Sequence, residues 1–138
     1  MELGKERIAE IKRMYEKDIF PYGLGMRLTK VARAEAELQL EVTERHCHMY
    51  GFAHGGVIAT LIDTVAAFAI YPELAQGAQL ASISLNVNFL VPGEIGTTLI
   101  ARGNPLRVGK RIAVGEVEIF NKDDLLLAKG VVTYKIFE

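Results

Sequence analysis

Residues 54–72 read HGGVIATLIDTVAAFAIYP, and the fold is decided by how this stretch is read. Its Ala and Leu content and its length favour a helix over a strand, and Pro72 supplies the stop. Between Val57 and Tyr71 the only charged residue is Asp63. A helix apolar nearly all round has to be enclosed on most sides by other structure. The uninterrupted apolar stretch falls short of the roughly 20 residues that a membrane-spanning helix needs. It is expected to be the central helix of a soluble domain with no membrane partner.

On its C-terminal side, Leu80–Val91 alternates, with Ala81, Ile83, Leu85, Val87, Phe89 and Val91 on one face and Ser82, Ser84, Asn86 and Asn88 on the other. Pro92-Gly93 turns the chain, and three more strand-like runs follow near 97–103, 110–120 and 125–137, the last two joined by a turn at 121–124. On the N-terminal side, the mixed, polar segment 43–53 reads as a loop. Residues 31–42 alternate as a strand with one wet side, carrying Ala34, Ala36, Leu38, Leu40 and Val42 on its apolar face. Ile8, Ile11, Tyr15 and Ile19 mark an amphipathic helix from Lys5 to Phe20, ended by Pro21. Short connections between successive strands imply an antiparallel meander. The expectation is an α+β fold in one domain spanning 1–138: about five strands curved around a central helix, preceded by an N-terminal helix within residues 1–20.

A chain of 138 residues with 50% apolar and 24% charged residues lies inside the globular range. Its net charge of −1 gives no overall field for nucleic acid or for an anionic membrane. The one cysteine, Cys47, cannot form an intrachain disulfide, and the N-terminal residues lack the apolar stretch of a secretory signal, so a cytoplasmic location is expected.

Two features of the central helix suggest chemistry. His54-Gly55-Gly56 marks its start, where backbone N–H groups have no intrahelical partner and glycines admit a ligand closely. Such donors, at the positive end of the helix dipole, suit an anion or a carbonyl oxygen gaining charge; a tight turn alone would also explain the glycines. Asp63 needs a polar pocket, a hydrogen-bond network or water, and Thr60 and Thr64 widen a polar stripe beside it. It too has a purely structural reading, as a carboxylate capped by those hydroxyls or by another chain. Asp63 lies about 10 Å along the axis from the helix N-terminus, too far for one chain to bring both to one carbonyl. Two antiparallel copies of the helix across a twofold axis would bring them together twice per dimer.

The cluster His46, Cys47, His48 and His54 matches no usual zinc spacing, and no metal site is expected. His48 and His54 suit hydrogen bonds to loop backbone or substrate, and His46 is expected to be exposed. Ser82 and Asn86 share the polar face of their strand, within reach of helix or solvent. Arg107, Lys110 and Arg111, with Arg102 upstream and Gly109 between, are candidate phosphate ligands, or simply a solvated hairpin end.

HGGVIATLIDTVAAFA followed by SISLNVNFLVPGEIG resembles the hotdog-fold acyl-CoA thioesterases of the PaaI-like group, from about residue 22 to the C-terminus. That resemblance implies a hotdog core over 22–138, sheets paired edge to edge in dimers, and association of dimers into tetramers. It assigns Asp63 as general base or nucleophile and Gly55 as the donor to the thioester carbonyl, with Gly56 beside it and His54 opening the motif. Ser82 would help to position water, and Asp63 and Ser82 would come from the subunit opposite Gly55. His48 stands where related enzymes often carry asparagine. Coenzyme A enters as part of the substrate, and no cofactor is implied. Two other readings are a non-catalytic acyl-CoA-binding module and a hotdog enoyl-CoA hydratase or dehydratase; the latter lacks its Gly-His-Phe-Pro-like segment here.

Overall fold

The computed structural model describes residues 2–138. In chain order the elements are α1 (Lys5–Glu16), α2 (Ile19–Gly23), β1 (Arg27–Ala32), β2 (Glu35–Glu41), α3 (Gly55–Ile70), β3 (Gln79–Phe89), β4 (Thr98–Val108), β5 (Ile112–Phe120) and β6 (Leu126–Phe137), with short 3-10 turns at Glu44–His46 and Tyr71–Glu73. The six strands form one antiparallel sheet in the order β1-β2-β4-β5-β6-β3, and α3 lies against its inner face. This is the expected hotdog arrangement. Leu61, Ile62, Val65, Ala66 and Ala69 of α3 are fully buried against Leu38, Leu99, Ala101, Val117, Ile119 and Val132 of the sheet, as a helix without a polar face requires.

Glycines set how closely the helix sits. A Cβ on Gly103 of β4 would come within 3.1 Å of the Val65 carbonyl oxygen, one on Gly115 of β5 within 3.2 Å of the Ala66 Cβ, and one on Gly130 of β6 within 2.8 Å of the Ile62 Cγ2. Three adjacent strands thus omit a side chain where α3 crosses them. The N-terminal helices then cover the C-terminal half of α3. The Arg7 guanidinium donates to the carbonyls of Tyr71 and Leu74 at 3.1 and 3.3 Å, just beyond the end of α3, and Tyr15 packs edge-on against Phe68 with ring centroids 5.4 Å apart. The Tyr15 hydroxyl donates to the Met26 carbonyl.

Four expectations need correction. The N-terminal helix ends at Glu16, and Pro21 lies inside a second short helix, which turns Ile19 outward to 81% exposure. The segment 31–42 is not one strand: β1 and β2 form a hairpin whose turn places Ala34 at φ 66, so the sheet has six strands. The strand expected at 97–103 runs on to Val108, and the next begins at Ile112. Only β4, β5 and β6 form a meander; β3 crosses over to pair with β6 at the sheet edge.

The fifth departure bears on function. The β3–β6 register slips between Ser82 and Ser84, leaving Ile83 as a bulge. Before it, Leu80 and Ser82 pair with Ile136 and Tyr134; after it, Leu85, Val87 and Phe89 pair with Val132, Gly130 and Ala128. Partners across a ladder share a face, so Ser82 points inward with the apolar residues 85, 87 and 89, whereas Ser84, Asn86 and Asn88 point outward. Strict alternation would have put Ser82 and Asn86 together.

Gly130→Ala is expected to destabilise the protein by about 1–3 kcal/mol, because the added methyl meets both Ile62 and the Asn86 carbonyl oxygen. Urea denaturation measures it, and an unchanged midpoint would contradict the close approach of helix and sheet.

Candidate active site

α3 presents Asp63 toward β3 and β6. The Ser82 hydroxyl donates to Asp63 Oδ1 at 2.8 Å. The Tyr134 hydroxyl donates to the main-chain carbonyl of Asp63 and lies 3.2 Å from the same Oδ1. Burial, and then the adjacent Asp63 charge, push the Tyr134 phenol well above its ordinary range, so it remains a donor. Among the described residues nothing is bonded to Asp63 Oδ2. One carboxylate oxygen is therefore tethered, and the other takes no hydrogen bond from the described residues. The carboxylate opens on a cleft of about 440 Å³, walled by Thr60, Thr64 and Phe68 of α3, by Tyr71, and by Asp18 and Phe20 of the N-terminal segment. The threonines line the cleft without capping Asp63: the Thr60 hydroxyl donates to the Gly56 carbonyl at 2.7 Å.

At the N-terminus of α3 the amides of the two glycines are used differently. His54 is the N-cap residue, and its Nδ1 accepts the Gly56 N–H at 2.8 Å. Nε2 then carries the proton in the neutral ring. Gly55, at the first helical position, keeps an N–H with no partner among the described residues. It faces a second cavity of about 410 Å³, lined also by His48, Phe52, Ile58 and Phe89. His48 Nδ1 accepts the Tyr50 N–H at 3.0 Å, which leaves Nε2–H as its outward donor. Two hydrogen-bond donors, the Gly55 amide and the His48 ring, thus line one cavity, while Asp63 and Ser82 line the other.

This constellation pairs a tethered carboxylate with an uncapped helix-terminal amide, which is the equipment of acyl transfer. A family model described as the thioesterase superfamily matches residues 50–128. The chain belongs to that superfamily. It is 30% identical over 123 residues to human acyl-coenzyme A thioesterase 13, covering 87% of this chain and 86% of that protein. To acyl-coenzyme A thioesterase PaaI of Escherichia coli K12 it is 30% identical over 115 residues, covering 83% and 80%. The solved structure of E. coli PaaI superposes with a TM-score of 0.89 at 26% identity, covering 99% of this chain and 96% of that one. A Streptococcus mutans protein solved bound to acetyl-CoA matches with a TM-score of 0.75 at 25% identity, covering 81% and 88%.

Asn86, Arg107, Lys110 and Arg111 of this thioesterase line neither cavity. Asn86 lies on the outer face of β3, its amide donating to Ser84 Oγ at 3.3 Å. Arg107, Lys110 and Arg111 sit at the β4–β5 turn. That turn is at the opposite end of the sheet from Gly55 and at the same end as Asp63: Ile112 and Ala113 pair with Lys135 and Tyr134, whereas Phe89, which packs on Gly55, pairs with Ala128, about 23 Å from Lys135 along β6. Arg102 is engaged by Glu37 at 3.3 Å and lies over the Phe120 ring. His46, expected to be exposed, is buried: Nδ1 accepts the Thr43 N–H at 2.9 Å and Nε2 donates to the Leu24 carbonyl at 2.7 Å, pinning the loop to the end of α2. Sequence reading missed Tyr134, whose only signal was a hydroxyl at a core-facing strand position.

His54→Ala is expected to cost about 1 kcal/mol in a denaturation experiment through loss of the cap, and His54→Asn to restore most of it. Equal stability of all three proteins would show that the cap carries no weight.

Proposed function

We propose that the protein hydrolyses acyl-CoA thioesters to a free acid and coenzyme A in sites shared between two copies of the chain. The observation that carries this reading is the separation of the two half-sites on one helix. The free carboxylate oxygen of Asp63 and the free amide of Gly55 open into different cavities, about 12 Å apart along α3. A twofold axis that sets two α3 helices antiparallel brings Asp63 of one copy to Gly55 of the partner subunit. The unpaired edge of β3 supports such a pairing. Its inward-facing Phe89 is 60% exposed and its bulged Ile83 58% exposed, a long apolar edge that a second copy would cover. The names of the human and E. coli relatives and the acetyl-CoA bound to the S. mutans protein agree with the substrate class.

In this reading the thioester carbonyl oxygen accepts hydrogen bonds from the Gly55 amide and His48 Nε2–H, which stabilise the oxyanion that develops. Ser82 and Tyr134 hold Asp63 Oδ1. Oδ2 either takes a proton from water as the water oxygen attacks the carbonyl carbon, or itself attacks to form an anhydride that water then opens. In both routes the carbon–sulfur bond breaks, the electron pair leaves with sulfur, and the proton released by water restores the thiol. The chemistry uses only side chains, backbone and water, and calls for no metal or redox cofactor.

Gly55→Pro gives a clean test of the donor. Proline is favoured at the first helical position, and His54 already has φ −59 and ψ 141, the backbone that a residue before proline adopts. The substitution removes one N–H from a helix that should still form, and kcat is expected to fall about 100-fold or more. Asp63→Asn should abolish turnover with the fold intact by circular dichroism. When the two inactive variants are co-expressed, mixed dimers carry one complete site of two, so roughly a quarter of wild-type activity should return. Full activity in Asp63→Asn would sink the catalytic assignment, and no recovery in the mixture would sink the shared site.

A further inference from the structure

We propose that His46 is a positioning residue for the His48 donor: its buried ring fixes the segment that carries His48 to the end of α2, and so holds the His48 Nε2–H at its station beside the Gly55 amide. The proposal rests on the thioesterase reading above, in which those two donors share one thioester oxygen, and adds what keeps the loop-borne donor of the pair in place.

The two donors are held by different means. The Gly55 amide belongs to α3, whose place is set by packing on the sheet. His48 lies between β2 and α3, where the one short helix is the 3-10 turn Glu44–His46. From that turn the chain runs out to Gly51 and returns as a narrow hairpin: Cys47 bridges to Ala53, the His48 N–H donates to the Phe52 carbonyl at 3.0 Å, and the His54 N–H donates to the His46 carbonyl at 2.8 Å. The returning arm is tied to the body of the protein, since the Ala53 N–H donates to the Gly93 carbonyl at 2.8 Å and Phe52 bridges to Glu94. The outgoing arm, which carries His48, is anchored at its base through the His46 ring.

Among the described residues only His46 and Thr64 are polar side chains buried in the protein, and His46 is 2% exposed. Its Nδ1 accepts a backbone N–H of its own turn, whereas its Nε2–H reaches a carbonyl 22 residues earlier in the chain, that of Leu24. That carbonyl is a firm point. Leu24 closes α2, and two residues on lies Met26, 1% exposed, whose carbonyl accepts the Tyr15 hydroxyl. A buried imidazole with an acceptor bond at one nitrogen and a donor bond at the other has one place to sit, because a shift leaves desolvated backbone groups without partners. Arg45 makes a second tie, donating to the Gly23 carbonyl at 3.1 Å, but that bond is exposed and competes with water. An oxyanion donor acts only when it stands about 2.7–3.1 Å from the oxygen, so a displaced arm weakens the transition state more than the binding of substrate.

Two substitutions separate the ring's two bonds. In His46→Gln an amide N–H takes the place of Nε2–H and keeps the tie to Leu24; in His46→Asn the amide oxygen replaces Nδ1 as acceptor within the turn, and the tie is lost. Circular dichroism checks that both fold. Amide hydrogen exchange of His48 and His54, read by NMR, is expected to quicken at least about tenfold in His46→Asn and to stay within about threefold of wild type in His46→Gln, with Leu61 and Ile62 of α3 unchanged in both. With acetyl-, benzoyl- and octanoyl-CoA as substrates, His46→Asn should lower kcat about tenfold at a KM within about twofold of wild type, and His46→Gln should keep most of the activity. Added to His48→Ala, the Asn substitution should lower kcat no further, since its effect passes through the donor already removed. Equal losses in the Gln and Asn variants, an undiminished loss in the His48→Ala background, or exchange that quickens evenly through α3 would each overturn the positioning role. Exchange needs no substrate, so a wild type without turnover would count against the thioesterase reading alone while the exchange rates still decide what His46 holds.

Discussion

The distance between one helix and one sheet governs the rest of this molecule. Gly103, Gly115 and Gly130 remove side chains from three neighbouring strands where α3 crosses them, and the helix backbone settles into the space. Because of that closeness the hydroxyls of Ser82 and Tyr134, both short reaches from the sheet, arrive at a carboxylate on the helix. A larger residue at any of the three positions would lift the helix and draw Asp63 away from both donors. Packing density and the geometry of the site are here one constraint.

The electrostatics follow from the same arrangement. Asp63 is the single ionisable residue on a helix whose other faces are almost wholly apolar, and burying an unpaired carboxylate costs several kcal/mol. The Ser82 hydroxyl on one oxygen, the Tyr134 hydroxyl shared between that oxygen and the main-chain carbonyl, and an open cleft at the other oxygen offset that penalty without quenching the charge. The helix start divides its donors in a similar way. His54 satisfies the Gly56 amide and so secures the end of the helix, and the Gly55 amide is left exposed to a cavity. In each case one group of a pair is held by a neighbouring side chain and the other faces a cavity.

Much of this was legible in the sequence. A stretch from Gly55 to Ile70 with one charge, a glycine pair at its head and a proline just past its end could hardly be anything but an enclosed helix. The isolated carboxylate announced itself for the same reason. What escaped was information that composition does not carry. The β1–β2 turn is made by Arg33 and by Ala34 in a left-handed conformation, without glycine, so a hairpin read as one strand. The bulge at Ile83 leaves alternation apparently perfect while turning Ser82 toward the helix and leaving Ser84 on the outer face. His46 looked like a loop residue because the carbonyl it holds, that of Leu24, comes from a segment 22 residues earlier in the chain. Tyr134 reads as ordinary core in a strand of alternating buried residues.

The N-terminal segment that closes the cleft with Asp18 and Phe20 precedes the 50–128 stretch matched by the family model, whereas Gly55, Asp63 and Ser82 lie within it. The walls of the cleft beside Asp63 therefore come from two separable parts of the polypeptide. A change confined to the arm would reshape the wall opposite Asp63 and leave the stretch that carries Gly55, Asp63 and Ser82 as it is.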